Sequence, residues 1–273
     1  MLFDVQGQSA YCYTGGKLLD TSLPAIVFIH GAQNDHSVWA LQSRYFAHHG
    51  YAVLAVDLPG HGRSSGPALA SVPAMAQWLL ALLDAAGIQQ AALCGHSMGS
   101  LIALEASHQA PARVSRLALL GSTYPMKVSP ALLDMARKDE ASAIDMVNIY
   151  SHASLTGRSA IPGMYTPGVA QKLMQRLSQG NPAQLFYTDF TACNEYANGE
   201  QAAGAVQCPT LFVCGTRDMM TPIRSARPLV ARIPHAQTTM IDSGHSLMNE
   251  QPAAVLDALR DWLDRTVAPT QQA

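Results

Sequence analysis

The chain has 273 residues, with 17 Lys or Arg against 19 Asp or Glu, a formal charge of −2. Nucleic-acid and anionic-membrane surfaces need clustered Lys and Arg, and no such cluster occurs, so neither partner is expected. No apolar run approaches the ~20 residues that span a bilayer, while 48% hydrophobic and 13% charged residues suit a large core with room for an apolar cavity. At ~150 residues per domain, the length allows one large domain or a domain with a lid. The elements then read in order. Leu2–Val5 and Ala10–Tyr13 suggest a hairpin, and Pro24–His30 a strand rich in β-branched and aromatic residues. A helix over about 36–48, a strand at Tyr51–Asp57, a helix over 71–86, a strand at Gln90–Cys94 and a helix over 98–109 follow. Val114–Leu120, Pro209–Gly215 and Thr238–Ile241 read as three more strands, with helices over 222–232 and 251–265 and a frayed tail from Val267 to Ala273. Strand runs that are apolar throughout, not alternately, are buried on both faces, as in a parallel sheet. Their alternation with helices predicts an α/β fold with a mostly parallel, doubly wound sheet.

From 122 to 205 the alternation stops. Helical runs at Pro130–Arg137, Glu140–His152, Gly168–Gln179 and Pro182–Asn194 are separated by Gly and Pro. A structureless loop of that length is improbable inside a compact domain, so the stretch reads as a helical insertion in a core made of 1–121 and 206–273. The N-terminus carries Asp4 and no basic region, unlike a secretory signal. Five cysteines, Cys12, Cys94, Cys193, Cys208 and Cys214, lack metal-ligand spacing and read as reduced core residues of a cytoplasmic protein. No metal and no cofactor is expected.

The strongest chemical signal is Gly95-His96-Ser97-Met98-Gly99, placed between a strand and a helix. In that setting Gly-x-Ser-x-Gly makes a turn too tight for side chains two residues either side of the serine, which is strained and exposed above the sheet. The Met98 N–H then lies at a helix N-terminus, where an oxyanion would develop. A serine hydroxyl needs a base. His245, after the last strand and behind the flexible Gly244, is the candidate. The imidazole needs an acid to fix its tautomer. Asp218, after the penultimate strand, is the first choice, and Asp242, three residues before His245, competes with it.

With these blocks in hand the chain resembles the α/β-hydrolase superfamily over nearly its whole length. His30-Gly31-Ala32 with Trp39 is similar to the family's oxyanion-loop block, Asp57-Leu58-Pro59-Gly60-His61-Gly62-Arg63-Ser64 to its DxPGHGxS block, and Gly95–Gly99 to its nucleophile elbow. Gly215–Asp218 and Gly244-His245 resemble its acid and base loops. The resemblance implies Ser97 as nucleophile, His245 as base, Asp218 as orienting acid, and Ala32 N–H as a second oxyanion donor beside Met98 N–H. It also implies that 122–205 is a cap over the nucleophile. Asp57, His61 and Arg63 read as a structural loop, Trp39 as a packed anchor, and Asp35 as a helix cap or a group at the site entrance. Met126, Met164, Tyr165, Phe186, Tyr187, Phe190 and Met219 are the substrate-binding candidates, of which a minority is expected to face a cavity. Arg158 and Arg176 are the cap's candidate cations.

The expected activity is hydrolysis of a small, largely apolar carboxylic ester, lactone or thioester through an acyl-enzyme. The same triad serves C–C bond hydrolysis or perhydrolysis, and a triad-retaining ligand receptor is the reading from a different class. Haloalkane dehalogenase and epoxide hydrolase chemistry would need Asp where Ser97 stands.

Overall fold

The computed structural model describes residues 1–155, 163–180, 184–233 and 235–264. Arg158 and the tail from Val267 lie outside them. Eight strands form one sheet: β1 (Leu2–Val5), β2 (Gln8–Tyr13), β3 (Ala25–Ile29), β4 (Ala52–Val56), β5 (Ala91–His96), β6 (Val114–Leu120), β7 (Thr210–Gly215) and β8 (Gln237–Ile241). Their order is β1-β2-β4-β3-β5-β6-β7-β8. The β1/β2 and β2/β4 pairs are antiparallel and the remaining pairs parallel. This is the doubly wound α/β sheet expected from the pattern of apolar runs. β3, β4, β5 and β7 are buried at every residue, whereas β8, with Gln237, Thr238 and Thr239, is mostly accessible. A terminal strand lacks a neighbour on one side and tolerates such polar residues.

Helices α1 (Ala40–Ala47), α2 (Val72–Ala85) and α3 (Met98–Gln109) precede a helical stretch of α4 (Pro130–Lys138), α5 (Glu140–Ser151), α6 (Thr166–Gly180), α7 (Leu185–Glu195) and α8 (Gly199–Gly204). Then come α9 (Ile223–Arg232), the single turn α10 (Leu247–Glu250) and α11 (Pro252–Asp264). The strand period of two divides the core into two layers. Val27, Ile29, Leu54 and Leu93 pack with α2 and α3 on one face, while Ile26, Phe28, Val53 and Ala55 pack with Trp39, Phe46 and Trp262 on the other. A third cluster, Leu132, Ile144, Val147, Met174, Phe186 and Phe190, is internal to the helices between β6 and β7.

Local chemistry sets the helix starts. Ser71 and Ser129 accept the N–H groups of Ala74 and Leu132 at the first turns of α2 and α4, each with a Pro at the opening positions, a favoured N-terminal arrangement. The helix expected over 36–48 is divided: His36–Trp39 forms a 3₁₀ turn capped by Asp35, and the α-helix begins at Ala40. α8 carries no sequence signal, being short and rich in Gly and Ala. The ends of β3, β5, β7 and β8 meet along one edge of the sheet. Such carboxyl ends are the usual place for ligand sites in open α/β sheets.

Candidate active site

Ser97 stands between β5 and α3 with φ +52° and ψ −118°, in the left-handed half of backbone space that non-glycine residues seldom enter. Its neighbours explain how the turn is tolerated. A Cβ on Gly95 would lie 2.1 Å from the Gly99 carbonyl oxygen, and one on Gly99 would lie 2.4 Å from that of Ile29. The Ser97 N–H donates to the Leu120 carbonyl at 2.9 Å, and Ser100 Oγ donates to the Ser97 carbonyl. The hydroxyl of Ser97 makes no hydrogen bond among the described residues.

His245 Nδ1 and Asp218 Oδ2 are 2.9 Å apart, and both residues are buried. Asp218 Oδ1 accepts the N–H groups of Met220 and Thr221, each at 2.8 Å, and Thr221 Oγ1 donates to Oδ2 at 2.7 Å. Burial alone would raise the Asp218 pKa. The adjacent His245 and the bonds from Thr221 outweigh it and hold the carboxyl well below the usual carboxylate range. An ionised Asp218 requires the His245 Nδ1 proton to point at it, which leaves Nε2 as the basic nitrogen. Asp242, the competing acid, pairs instead with Arg217 at 2.9 Å on the surface.

His96 Nε2 donates to the His245 backbone carbonyl at 2.8 Å, and the two rings lie 4.8 Å apart between centroids. Burial, then the nearby His245, pull the His96 pKa down to about 3, so this ring is neutral. Glu250 adds a second support: Oε1 accepts Gly244 N–H at 2.9 Å and Oε2 accepts Ala153 N–H at 3.0 Å.

The loop after β3 lies against the elbow. A Cβ on Gly31 would come within 3.2 Å of Ser97 Cβ. His30 Nδ1 donates to the Gly31 carbonyl at 2.8 Å, while His30 Nε2 accepts Leu58 N–H at 3.2 Å. Burial first, then neighbouring His61, lower the His30 pKa to about 4, which matches this neutral tautomer. The N–H groups of Ala32 and Met98 make no hydrogen bond among the described residues.

Ser97, His245 and Ala32 share a cavity of about 320 Å³. The structure brings Met126, Phe190 and Met219 to its wall, with Leu132, Val147, Met174 and Met248. The other substrate-binding candidates lie elsewhere. Phe186 is fully buried in the helical core, stacked behind Phe190 at 4.4 Å, and Tyr187 carries the Arg137 guanidinium on its ring. Met164 and Tyr165 are on the surface, 42% and 61% exposed, because they precede α6 outside the cluster its buried face makes. Arg176 pairs with Asp35, which also caps the 3₁₀ turn. The cavity also takes Cys193, expected as a core residue, and Asn34, Asn148 and Asn249, none of the three marked by sequence, since single polar residues on loops and helices carry no pattern.

Asp35, His36 and Asp57 place potential metal-ligand atoms within 4.8 Å of one another. Their valences are spent internally: Asp57 accepts from His36 N–H, His36 Nδ1 and Arg63 N–H, and Asp35 from Ser37 and Arg176. Among the described residues no helix is long and apolar enough to cross a membrane.

The chain is 27% identical over 259 residues to 3-oxoadipate enol-lactonase 1 of Acinetobacter baylyi, covering 92% of each chain. It is 27% identical over 248 residues to the (E)-2-((N-methylformamido)methylene)succinate hydrolase of the same organism, covering 88% of this chain and 90% of that one. The enol-lactonase structure from Burkholderia xenovorans superposes with a TM-score of 0.81 at 22% identity, over 97% of this chain and 100% of that one. An N-acyl homoserine lactone degrading enzyme does so with a TM-score of 0.81 at 24% identity, over 96% and 99%. Residues 26–258 match the alpha/beta hydrolase family. That span takes in the loop after β3, the turn at Ser97 and the loops carrying Asp218 and His245, and the chain belongs to this family.

Proposed function

We propose that the protein is a serine hydrolase of a small, largely apolar carboxylic ester or lactone. The observation that carries this reading is the strained Ser97 on one cavity wall with the Asp218-bound His245 on the same cavity. Ser97 Oγ attacks the carbonyl carbon while His245 Nε2 takes its proton. Ala32 and Met98 N–H groups stabilise the tetrahedral oxyanion. His245 then returns the proton to the leaving alkoxide, leaving an acyl-enzyme. Water, deprotonated by Nε2, attacks the acyl carbon, and collapse releases the acid and restores the Ser97 proton.

The helices between β6 and β7 act as a cap in this reading, since Met126, Leu132, Met174 and Phe190 supply apolar walls. The enol-lactonase relatives favour including cyclic esters among the substrates. The wall chemistry favours an apolar acyl or alcohol part. The experiment is labelling of Ser97 by a fluorophosphonate, with turnover of p-nitrophenyl esters of graded acyl length and of simple lactones. Labelling with multiple turnover supports the reading. Absence of both rejects it, and labelling without turnover favours a ligand receptor.

A further inference from the structure

Helix α7 sends one buried charge into the core. Asp189 is fully buried, and its Oδ2 accepts the backbone N–H of Gln33 at 2.8 Å and His61 Nε2 at 2.9 Å. The other nitrogen of His61 faces the Pro59 carbonyl at 3.0 Å. Both ring nitrogens therefore meet acceptors, so both carry protons and the ring is an imidazolium opposite the carboxylate. Burial disfavours that charge, but Asp189 outweighs it and holds His61 above its ordinary pKa.

Gln33 directly follows Ala32. Its φ is +54°, a conformation that costs a non-glycine residue free energy unless its surroundings impose it. The surroundings come from the helical segment. Besides the Asp189 bond, Gln33 Nε2 donates to the Met174 carbonyl at 3.0 Å and to Ser178 Oγ at 2.7 Å. The peptide between Ala32 and Gln33 is gripped at both ends: Asn34 Nδ2 donates to its carbonyl at 2.8 Å, and Asp189 accepts its N–H. Among the described residues, the preceding peptide, which carries the Ala32 N–H, is held through its carbonyl by His30 alone. The direction of the Ala32 N–H thus depends on the plane that follows it.

We propose that Asp189 is a positioning residue for the oxyanion loop, a contact through which the helical segment aims the Ala32 N–H at the reacting carbonyl. The inference rests on the serine-hydrolase reading. It separates Asp189 from the residues that shape the cavity wall, because Asp189 acts through the backbone and not through substrate.

The test compares wild type, Asp189→Ala and Asp189→Asn with p-nitrophenyl butyrate, with kcat normalised to the fraction of Ser97 that a fluorophosphonate labels. Butaneboronic acid is the second probe. Its boron takes an electron pair from Ser97 Oγ, whose proton passes to His245 Nε2, and becomes a tetrahedral boronate anion, which places an oxygen where the oxyanion forms. Butyrate, a trigonal product, is the third. Loss of one oxyanion donor costs about 10²–10³-fold in kcat. Asp189→Ala is therefore expected to lower kcat about 100-fold and to raise the boronate Ki by a similar factor, with KM and the butyrate Ki within about 3-fold. Asp189→Asn keeps an acceptor for Gln33 and is expected to lose about 10-fold. Wild-type kcat and boronate Ki in a cooperatively folded Asp189→Ala overturn the inference. If that variant does not fold, the same result in Asp189→Asn does so. Equal weakening of boronate and butyrate also overturns it, since that signature belongs to a collapsed pocket. Wild type that neither turns over nor labels overturns the hydrolase reading and this inference together.

Discussion

The imidazole of His96 holds the loop after β8 by its main chain: Nε2–H meets the carbonyl oxygen of His245 at 2.8 Å. A residue chosen by the elbow motif only as a spacer beside Ser97 thus couples the end of β5 to the loop after β8. Removing it with His96→Ala is expected to lower kcat about 5-fold, with KM little changed, because a neutral hydrogen bond of this kind contributes about 1 kcal/mol. The acid limb of the pH–rate profile should keep its midpoint, since His96 titrates only near about 3. A limb that disappears in this variant would show that His96 itself is the titrating group.

The carboxylate assignment separates cleanly. Asp218→Asn should reduce kcat by about 10⁴-fold, the magnitude of the corresponding change in a serine protease, because the amide no longer fixes the Nδ1–H tautomer. Asp242→Asn should leave kcat within about 2-fold, as its partner is the exposed Arg217. Steady-state kinetics on the two variants decides between them.

Asp218 also predicts a pH dependence of stability. Its folded pKa lies below the unfolded value of ~3.9. Between the two the unfolded chain binds more protons, so stability rises with pH there. The contribution is present above about pH 4 and is lost as pH falls through the folded pKa. Denaturant titrations from pH 6 to 3 should show a steeper acid loss in wild type than in Asp218→Asn. Parallel curves would contradict the depressed pKa.

Glu250 joins Gly244 to Ala153 through its two oxygens. Glu250→Ala leaves two partly buried N–H groups without that acceptor, and a lost charged hydrogen bond costs about 1.5–3 kcal/mol. Equilibrium unfolding should show a loss in that range, and kcat should fall as the His245 loop loosens. Glu250→Gln, whose oxygen accepts one N–H while its amide nitrogen faces the other, should rescue it only in part.

Gly121 packs under the imidazole. A Cβ there would lie 3.0 Å from His245 Cε1 and 3.1 Å from Nδ1, at a φ of +53°. Gly121→Ala should therefore displace the ring and reduce kcat about 10-fold or more, with little change in KM for short p-nitrophenyl esters. Unchanged kcat would show that the ring has room to move.

Sequence made the scaffold legible because burial on both faces of β3, β4, β5 and β7 writes continuous apolar runs. The elbow was equally legible, since its steric demand leaves no choice but Gly at 95 and 99. The limits came from contacts between residues distant in the chain. Asp189 meets Gln33 across 156 positions and Glu250 meets Ala153 across 97, and nothing local marks such partners. Hydrophobicity also failed to sort the aromatic residues of α7: Phe186 and Phe190 have the same chemistry and stack on one another, yet only Phe190 reaches the cavity. A stripe four residues apart names a face of a helix, and the neighbours decide what that face meets.

The helices from α4 to α8 leave the sheet after β6 and rejoin it at β7, two strands paired side by side, with Leu117 opposite Thr210. Because the two strands run parallel, any segment grafted there must cross from the carboxyl end of β6 to the amino end of β7. It must also match the chemistry it meets. The graft would discard Asp189 and Ala153, and with them the acceptor that matches the His61 charge and one of the two N–H groups that Glu250 binds. A recombinant built here would need to import a carboxylate at the Asp189 position, or to replace His61 with a residue that stays uncharged, before any change in substrate preference could be read from the new walls.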